Sequence, residues 1–362
     1  MSFLLVPEPG EQTTARLAKK VRLLALKTLL EARGDLSLRR LQVWLTRQLK
    51  RRPSTLDLLG HPDVLAPLLV QRAGLGEHLD AAIPELLALI EQPDEDLLWD
   101  RPFQQIRGCR VQAEGLFLGR SGTELRVDGQ PSPLPSPQGR WTVPGTQVEL
   151  CLRDTNPLSM MEAHPDKEGN AVSLGERPVE DWLAALAQAF ELIRVGLPTW
   201  FAEMPAYLRR LVPVGYEPEK HLSASYREAP GIVWLTLHPD PVTMAEALVH
   251  EAQHSKLNLL SWLDPVLHNG QSLWTESPVR PDMRPLMGVM LAAHAFVPVA
   301  QLHQGLAEAG HPLAQRPEFR VRKQQVLDTN ARSLEILETY SEASPSGQRL
   351  LNDLSTLHGA LA

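Results

Sequence analysis

Apolar residues recur at three- and four-residue spacing through the first hundred positions. Leu17, Val21 and Leu24 form one such set, Leu23, Leu26 and Leu30 a second, and Leu38, Leu41 and Leu45 a third. Positions three and four apart share a helix face, so this period predicts a largely helical stretch from Gln12 to about Asp96. Pro53 followed by Ser54 and Thr55 predicts a break and a new helix start, and Ala81–Ile90 a further helix. After Asp100 the pattern changes to short alternating runs, Arg110–Leu118, Thr123–Val127 and Gln147–Leu152, parted by turn-rich segments such as DGQPSPLPSPQG (128–139). Alternation with a period of two predicts strands, here a small antiparallel module. The stretch DTNPLSMMEAHPDKEGNAVSLGERP (154–178) reads as a long polar connection.

From Pro178 the helical period returns. Trp182, Leu183, Leu186, Phe190 and Ile193 fall on one face of a helix over Val179–Val195. GIVWLTLHP (231–239) predicts a strand from its β-branched and aromatic content. Thr243 stands at a helix N-cap position with Glu246 three residues on, the capping-box spacing, and predicts a helix from Met244 through Leu260. The fold expected is α+β and predominantly α-helical. It divides into a helical region with a basic surface (1–98), a small β module with its long connection (99–177), and a mostly helical region (178–362); there a strand precedes a helix carrying His250, Glu251 and His254, an order that resembles a zincin-like metal domain.

Composition narrows the class. The chain has 362 residues, 43% hydrophobic and 22% charged, with a formal charge of -7, which fits a soluble globular protein with ample core. No run approaches the roughly 18 apolar residues that span a bilayer, and the opening MSFLLVPEPGEQ lacks the features of a signal peptide. Only Cys109 and Cys151 are present, too few for a disulfide scaffold, so a cytoplasmic protein is expected. Any metal must then be held by histidines and carboxylates. Charge is uneven: between Arg16 and Arg52 the chain carries Lys19, Lys20, Arg22, Lys27, Arg33, Arg39, Arg40, Arg47, Lys50 and Arg51 against Glu31 and Asp35. Such a surface suits an acidic peptide or a nucleic acid, although a solvated helix face is the plainer reading.

The chemistry concentrates in LVHEAQHSKLNLL (248–260). Positions i and i+4 of a helix stand one above the other, so His250 and His254 can bind a single metal ion. Glu251 lies about 100° round the helix, where its carboxylate can approach a water on that metal. An H-E-x-x-H match would arise by chance in a chain with this many histidines roughly 0.02 times. A metzincin would continue with Gly and His where this chain has Leu257 and Leu260, which excludes that family. The Glu of a thermolysin-like peptidase has no good counterpart, since Glu335 and Glu338 lack the accompanying Asp. His294, on the apolar stretch PLMGVMLAAHAFVPVA, is the best candidate for a third ligand, weighed against an ordinary core histidine.

Three pieces, ALVHEAQHSKLNLL (247–260), ESPVRPDMRPLMG (276–288) and LAAHAFVPVA (291–300), resemble the HExxH-motif peptide-modifying proteins of ribosomal peptide biosynthetic clusters. Those proteins are iron(II)/2-oxoglutarate-dependent peptide β-hydroxylases. The similarity is strong over about a fifth of the chain and weaker at the DTNP segment from Asp154. It implies that His250, His254 and His294 or a carboxylate hold Fe(II), with positions left for 2-oxoglutarate and dioxygen, and that Glu251 orients a ligand or is one. It also implies that Arg284 or Arg280 binds the distal carboxylate of 2-oxoglutarate, since a guanidinium pairs with a carboxylate bidentately. The substrate would be a residue of a precursor peptide, held in part by the basic N-terminal helices, with no membrane involved and nucleic acid the less favoured partner. The alternative is a zinc metallopeptidase with His250 and His254 as ligands and Glu251 as general base. A third reading is a non-enzymatic helical protein that binds a peptide or nucleic acid, its metal purely structural.

Overall fold

The computed structural model describes residues 4–91, 93–119, 122–154, 156, 171–279 and 282–362. It is α+β and mostly helical, and its contacts divide the chain into two units. One unit comprises Ala18–Trp141 and Cys151–Val172, the other Met1–Leu17, Thr142–Leu150 and Ser173–Ala362. This division differs from the three consecutive regions expected. The N-terminal helices and the β module share one unit, and the first residues of the chain belong with the motif helix.

In the first unit, α1 (Thr13–Glu31), α2 (Leu36–Arg51), α3 (Thr55–Leu58), α4 (Pro62–Arg72) and α5 (Leu79–Ala88) precede the strands. Asp35 caps α2 by accepting from Leu38 N at 3.0 Å. Leu38, Leu41 and Leu45 are buried as expected, and so are Leu17 and Val21 of α1; the α1 stripe then runs on through Ala25 and Leu29, while Leu23 is exposed. With leucine at so many positions, periodicity alone did not select the face. The strands are β1 (Leu97–Trp99), β2 (Phe103–Ile106), β3 (Cys109–Ala113), β4 (Gly115–Gly119), β5 (Gly122–Val127) and β6 (Gln130–Pro133). The run read as one strand over Arg110–Leu118 is two strands broken at Glu114, because β3 pairs with β2 while β4 pairs with β1 and β5. The four-stranded sheet has the order β1-β4-β5-β6, antiparallel throughout. Asp128 and Gly129, both at positive φ (50° and 72°), close the two-residue β5–β6 turn. Glu85 on α5 is buried against Arg153 at 3.0 Å and accepts the Arg107 backbone N–H.

The second unit is built on a mixed five-stranded sheet that β7 (Arg140–Thr142), where the chain passes from one unit to the other, and β8 (Glu149–Cys151) begin. Then come α6 (Val179–Gly196), α7 (Pro198–Glu203), β9 (Arg210–Tyr216), β10 (Ser223–Ala224), β11 (Ile232–Leu237), α8 (Pro241–Ser261), the hairpin β12 (Trp274–Glu276) and β13 (Met283–Pro285), α9 (Leu286–Glu308), α10 (Pro317–Tyr340) and α11 (Pro345–Leu361). The sheet order is β10-β11-β9-β8-β7, with β9 and β11 parallel and β10 antiparallel at one edge. All six residues of β11 are buried, as a central strand covered on both faces requires. The helix α6 buries Trp182, Leu186, Phe190 and Ile193. It crosses α9 so closely that a Cβ on Gly305 would lie 2.0 Å from the Gly196 carbonyl oxygen, so only glycine fits there. Helix α9 is long and apolar enough to cross a membrane, with a mean hydropathy of 1.4, although an uninterrupted-run criterion passes over it. Its most apolar window is 72% buried inside the protein, so packing accounts for that character.

The start of the chain is threaded into this unit. Leu4, Leu5 and Val6 are buried. The Leu4 carbonyl oxygen accepts from His294 Nε2 (2.9 Å) and Gln253 Nε2 (3.4 Å), and the Leu5 carbonyl accepts from Lys256 Nζ at 2.7 Å. No helical or strand period marks these residues, which is why the sequence left them unassigned.

Candidate metal centre

The motif helix α8 starts three residues before the predicted point. Asp240 is its N-cap, with Oδ2 accepting both Thr243 N (2.8 Å) and Thr243 Oγ1 (2.9 Å), and Pro241 occupies the first turn, where a missing N–H costs nothing. Thr243 and Glu246 therefore do not form the capping box. Glu246 is buried instead and accepts His303 Nε2 at 2.8 Å and Arg322 Nε and Nη2 at 2.8 and 2.7 Å. Burial alone would raise its carboxyl, but the His303 hydrogen bond and the Arg322 charge outweigh it and hold the group below the usual range. This pair of contacts ties α8 to α9 and α10 beside the motif.

One turn further on, His250, Glu251 and His254 each offer a ligand atom, and these atoms lie within 4.8 Å of one another. The two imidazoles are 4.4 Å apart between ring centroids, and Phe296 of α9 stands edge-on to His250 at 4.6 Å. His254 Nδ1 is buried and without a hydrogen-bond partner among the described residues. Burial pushes the His254 imidazole below its ordinary value; the Glu251 carboxylate opposes that push and the Arg284 charge adds to it. A neutral imidazole with an uncommitted nitrogen is the form in which histidine binds a metal. Two imidazoles and a carboxylate fit iron(II), whose common facial set has this composition, and the same donors also accept zinc.

Glu251 is held from the sheet side. Its Oε1 accepts Ser223 Oγ at 2.7 Å and its Oε2 accepts Ser225 Oγ at 2.6 Å, and the side chain is buried. Two short hydrogen bonds, one to each oxygen, fix the carboxylate plane while leaving acceptor capacity on each oxygen. Ser223 and Ser225 were not picked out from the sequence. Their signal is the two-residue spacing in HLSASY (221–226), which puts both hydroxyls on one side of an extended segment.

His294 is fully buried on α9, but its Nε2 is turned to the Leu4 carbonyl and it is not among the groups within 4.8 Å of the cluster. Arg284, on β13, is half-buried, with Nε 3.5 Å from Asp282 Oδ2, a long contact for an ion pair. Its charge nevertheless reaches His254. Arg280 lies outside the described residues, as does most of the connection from Asp154 that carried the weaker part of the resemblance.

Two histidines near this region, His294 buried and His221 half-buried, make a stability prediction. Burial, with the Lys256 charge adding to it, brings His294 down to about 3 from 6.5. Burial and His238 bring His221 to about 4 from 6.5. Both are neutral in the folded chain, whereas the unfolded chain takes up their protons below pH 6.5. Their contribution is therefore complete above that pH and is lost as pH falls through the window from 6.5 towards 4, at about 1.4 kcal/mol per pH unit for each group. Urea denaturation should show a clearly lower midpoint at pH 5 than at pH 7; equal midpoints would contradict the assignment.

No protein-family model matches this chain, and no curated protein matches it.

Proposed function

We propose that His250, Glu251 and His254 hold iron(II), and that the protein is a cytoplasmic 2-oxoglutarate-dependent hydroxylase acting on the β-carbon of a residue in a ribosomally made precursor peptide. The observation that carries this reading is the convergence of two imidazoles and a carboxylate within 4.8 Å, with a guanidinium whose charge reaches one of those imidazoles. When bound, the iron would supply the oxidation, in which 2-oxoglutarate loses carbon dioxide and takes up one oxygen atom of dioxygen to become succinate, and the other oxygen atom enters the substrate C–H bond as a hydroxyl. The chain's own residues do the rest. Burial keeps His254 neutral and ready to donate its lone pair. Ser223 and Ser225 hold the Glu251 carboxylate in one orientation, so no reorganisation is needed on metal binding. Arg284 offers its guanidinium to the distal carboxylate of 2-oxoglutarate, since its contact with Asp282 is long enough to be exchanged for a bidentate pair. Phe296 stands edge-on to His250 and covers one side of its ring. The precursor peptide would be held in part by the basic N-terminal helices.

The test is anaerobic reconstitution with iron(II), followed by titration with 2-oxoglutarate and recording of the visible charge-transfer band. Arg284→Ala should require about 10- to 100-fold more 2-oxoglutarate for half-saturation, the loss expected for one charged hydrogen-bonded pair. An unchanged titration would remove Arg284 from the site. Tight zinc binding with peptide cleavage, and no response to 2-oxoglutarate, would favour the zinc metallopeptidase instead.

A further inference from the structure

We propose that the groove between α2 and β1 docks an acidic, extended peptide segment, which adds as a strand to the open edge of β1. The identity of that segment rests on the reading above, under which it belongs to the substrate peptide away from the modified residue; the docking itself needs no metal. The groove has a volume of about 460 Å³ and is bounded by Leu36, Arg39, Arg40 and Val43 on the helix and by Leu97 and Leu98 on the strand.

Three observations point to this occupant. The first is the sheet order β1-β4-β5-β6, in which β1 pairs only with β4 and leaves its other edge without a strand among the described residues. An open edge presents backbone donors and acceptors that an incoming extended chain can satisfy. The second is the surface of α2 beside that edge. Leu36, Arg40, Val43 and Arg47 fall at spacings of four, three and four, one stripe of the helix, and Leu36 and Val43 are 62% and 53% exposed. A soluble helix without a partner on that face would carry polar residues at those two positions.

The third is where the basic N-terminal charge is left over. Arg22 pairs with Asp57, Lys27 with Glu31, and Arg47 and Arg51 both with Glu95. In the groove, Arg40 meets no carboxylate among the described residues and Arg39 has only a 3.5 Å contact to the Gly34 carbonyl. Both guanidinium groups are exposed beside exposed aliphatic side chains. The complement is a strand with aliphatic residues against Leu36 and Val43 and carboxylates against Arg39 and Arg40. A nucleic acid fits less well, because the one aromatic ring in the groove lining, Trp44, is buried and offers no face for a base to stack on. The three residues of β1 would pair with a segment on the order of 10 Å long, at about 3.3 Å per residue.

The test uses the full chain as bait for a random dodecapeptide phage library, with the double variant Arg39→Glu/Arg40→Glu selected in parallel. The wild type should enrich sequences that alternate aliphatic and acidic residues, and the variant should not. The enriched consensus, synthesised with a fluorophore, should bind the variant at least about 10-fold more weakly by anisotropy. N-methylation of alternate backbone amides of that peptide should abolish binding on one of the two registers, because only one set of N–H groups can face the strand. Both arginines are exposed, so the variant should keep the wild-type melting temperature, which is measured alongside. Affinity should be the same with and without EDTA, so a failed iron titration would leave this result standing. The proposal is overturned if no consensus emerges, if the consensus binds the double variant equally well, or if a single-stranded oligonucleotide displaces it.

Discussion

Replacing His254 by alanine is expected to weaken metal binding by on the order of 100-fold or more and to abolish the cosubstrate-dependent charge-transfer band. Substitutions in the groups that merely support a ligand already lower affinity by roughly 10- to 100-fold, and removal of a ligand should do at least as much. The side chain sits one helical turn from His250, with ring centroids 4.4 Å apart, and its buried Nδ1 has no hydrogen-bond partner to lose among the described residues. The variant should therefore keep its far-ultraviolet spectrum and its cooperative unfolding in the absence of metal. The informative companion is His294→Ala. Its Nε2 donates to the Leu4 carbonyl at 2.9 Å, so this change should loosen the start of the chain and lower stability while retaining the band. Loss of the band in His294→Ala, with the fold intact, would return His294 to the ligand set. An unchanged band in His254→Ala would show that the metal sits elsewhere.

Lys256→Ala should have the largest effect on stability, about 3–5 kcal/mol, the range found when one partner of a buried ion pair is removed. Lys256 Nζ is wholly buried, 2.6 Å from Glu203 Oε2 and 2.7 Å from the Leu5 carbonyl oxygen, and it lies over the Tyr207 ring at 4.5 Å. Burial lowers the Lys256 ammonium from its usual value and the Glu203 carboxylate opposes that shift. Removing the ammonium leaves the Leu5 carbonyl and the largely buried Glu203 carboxylate without their shared partner, so each keeps its desolvation penalty uncompensated. Urea unfolding of Lys256→Met, Glu203→Gln and the double variant separates the two terms. The double variant should recover part of the loss, because no charge is then left alone. A loss below about 1 kcal/mol in Lys256→Ala would mean that the pair contributes little.

These two side chains also show how far local pattern carried. The motif helix, the strand before it, the helix over residues 179–196 and the stripe Leu38, Leu41 and Leu45 were legible in the sequence. In each, the determining signals lie within a few residues of one another: a 3.6 or 2.0 period, a proline, a capping carboxylate. The pairing of His250, Glu251 and His254 was legible for the same reason, because one helical turn brings them together without help from the rest of the chain.

What the sequence did not reveal is decided by contacts between distant segments. Glu246 has the spacing of a capping box, yet His303 and Arg322 compete for its carboxylate and win, since a buried charge gains more from two charged partners than from one backbone N–H. Ser223 and Ser225 reach Glu251 only because β10 folds back antiparallel onto β11. A histidine on an apolar helix needs a polar partner, and for His294 Nε2 the tertiary structure supplies the Leu4 carbonyl, 290 residues away along the chain. The sequence by itself determined which elements form and which three side chains share a helical turn, because those depend on neighbours. Only the tertiary structure decided what each buried polar group faces, because any segment can satisfy a hydrogen bond and local pattern does not say which one arrives.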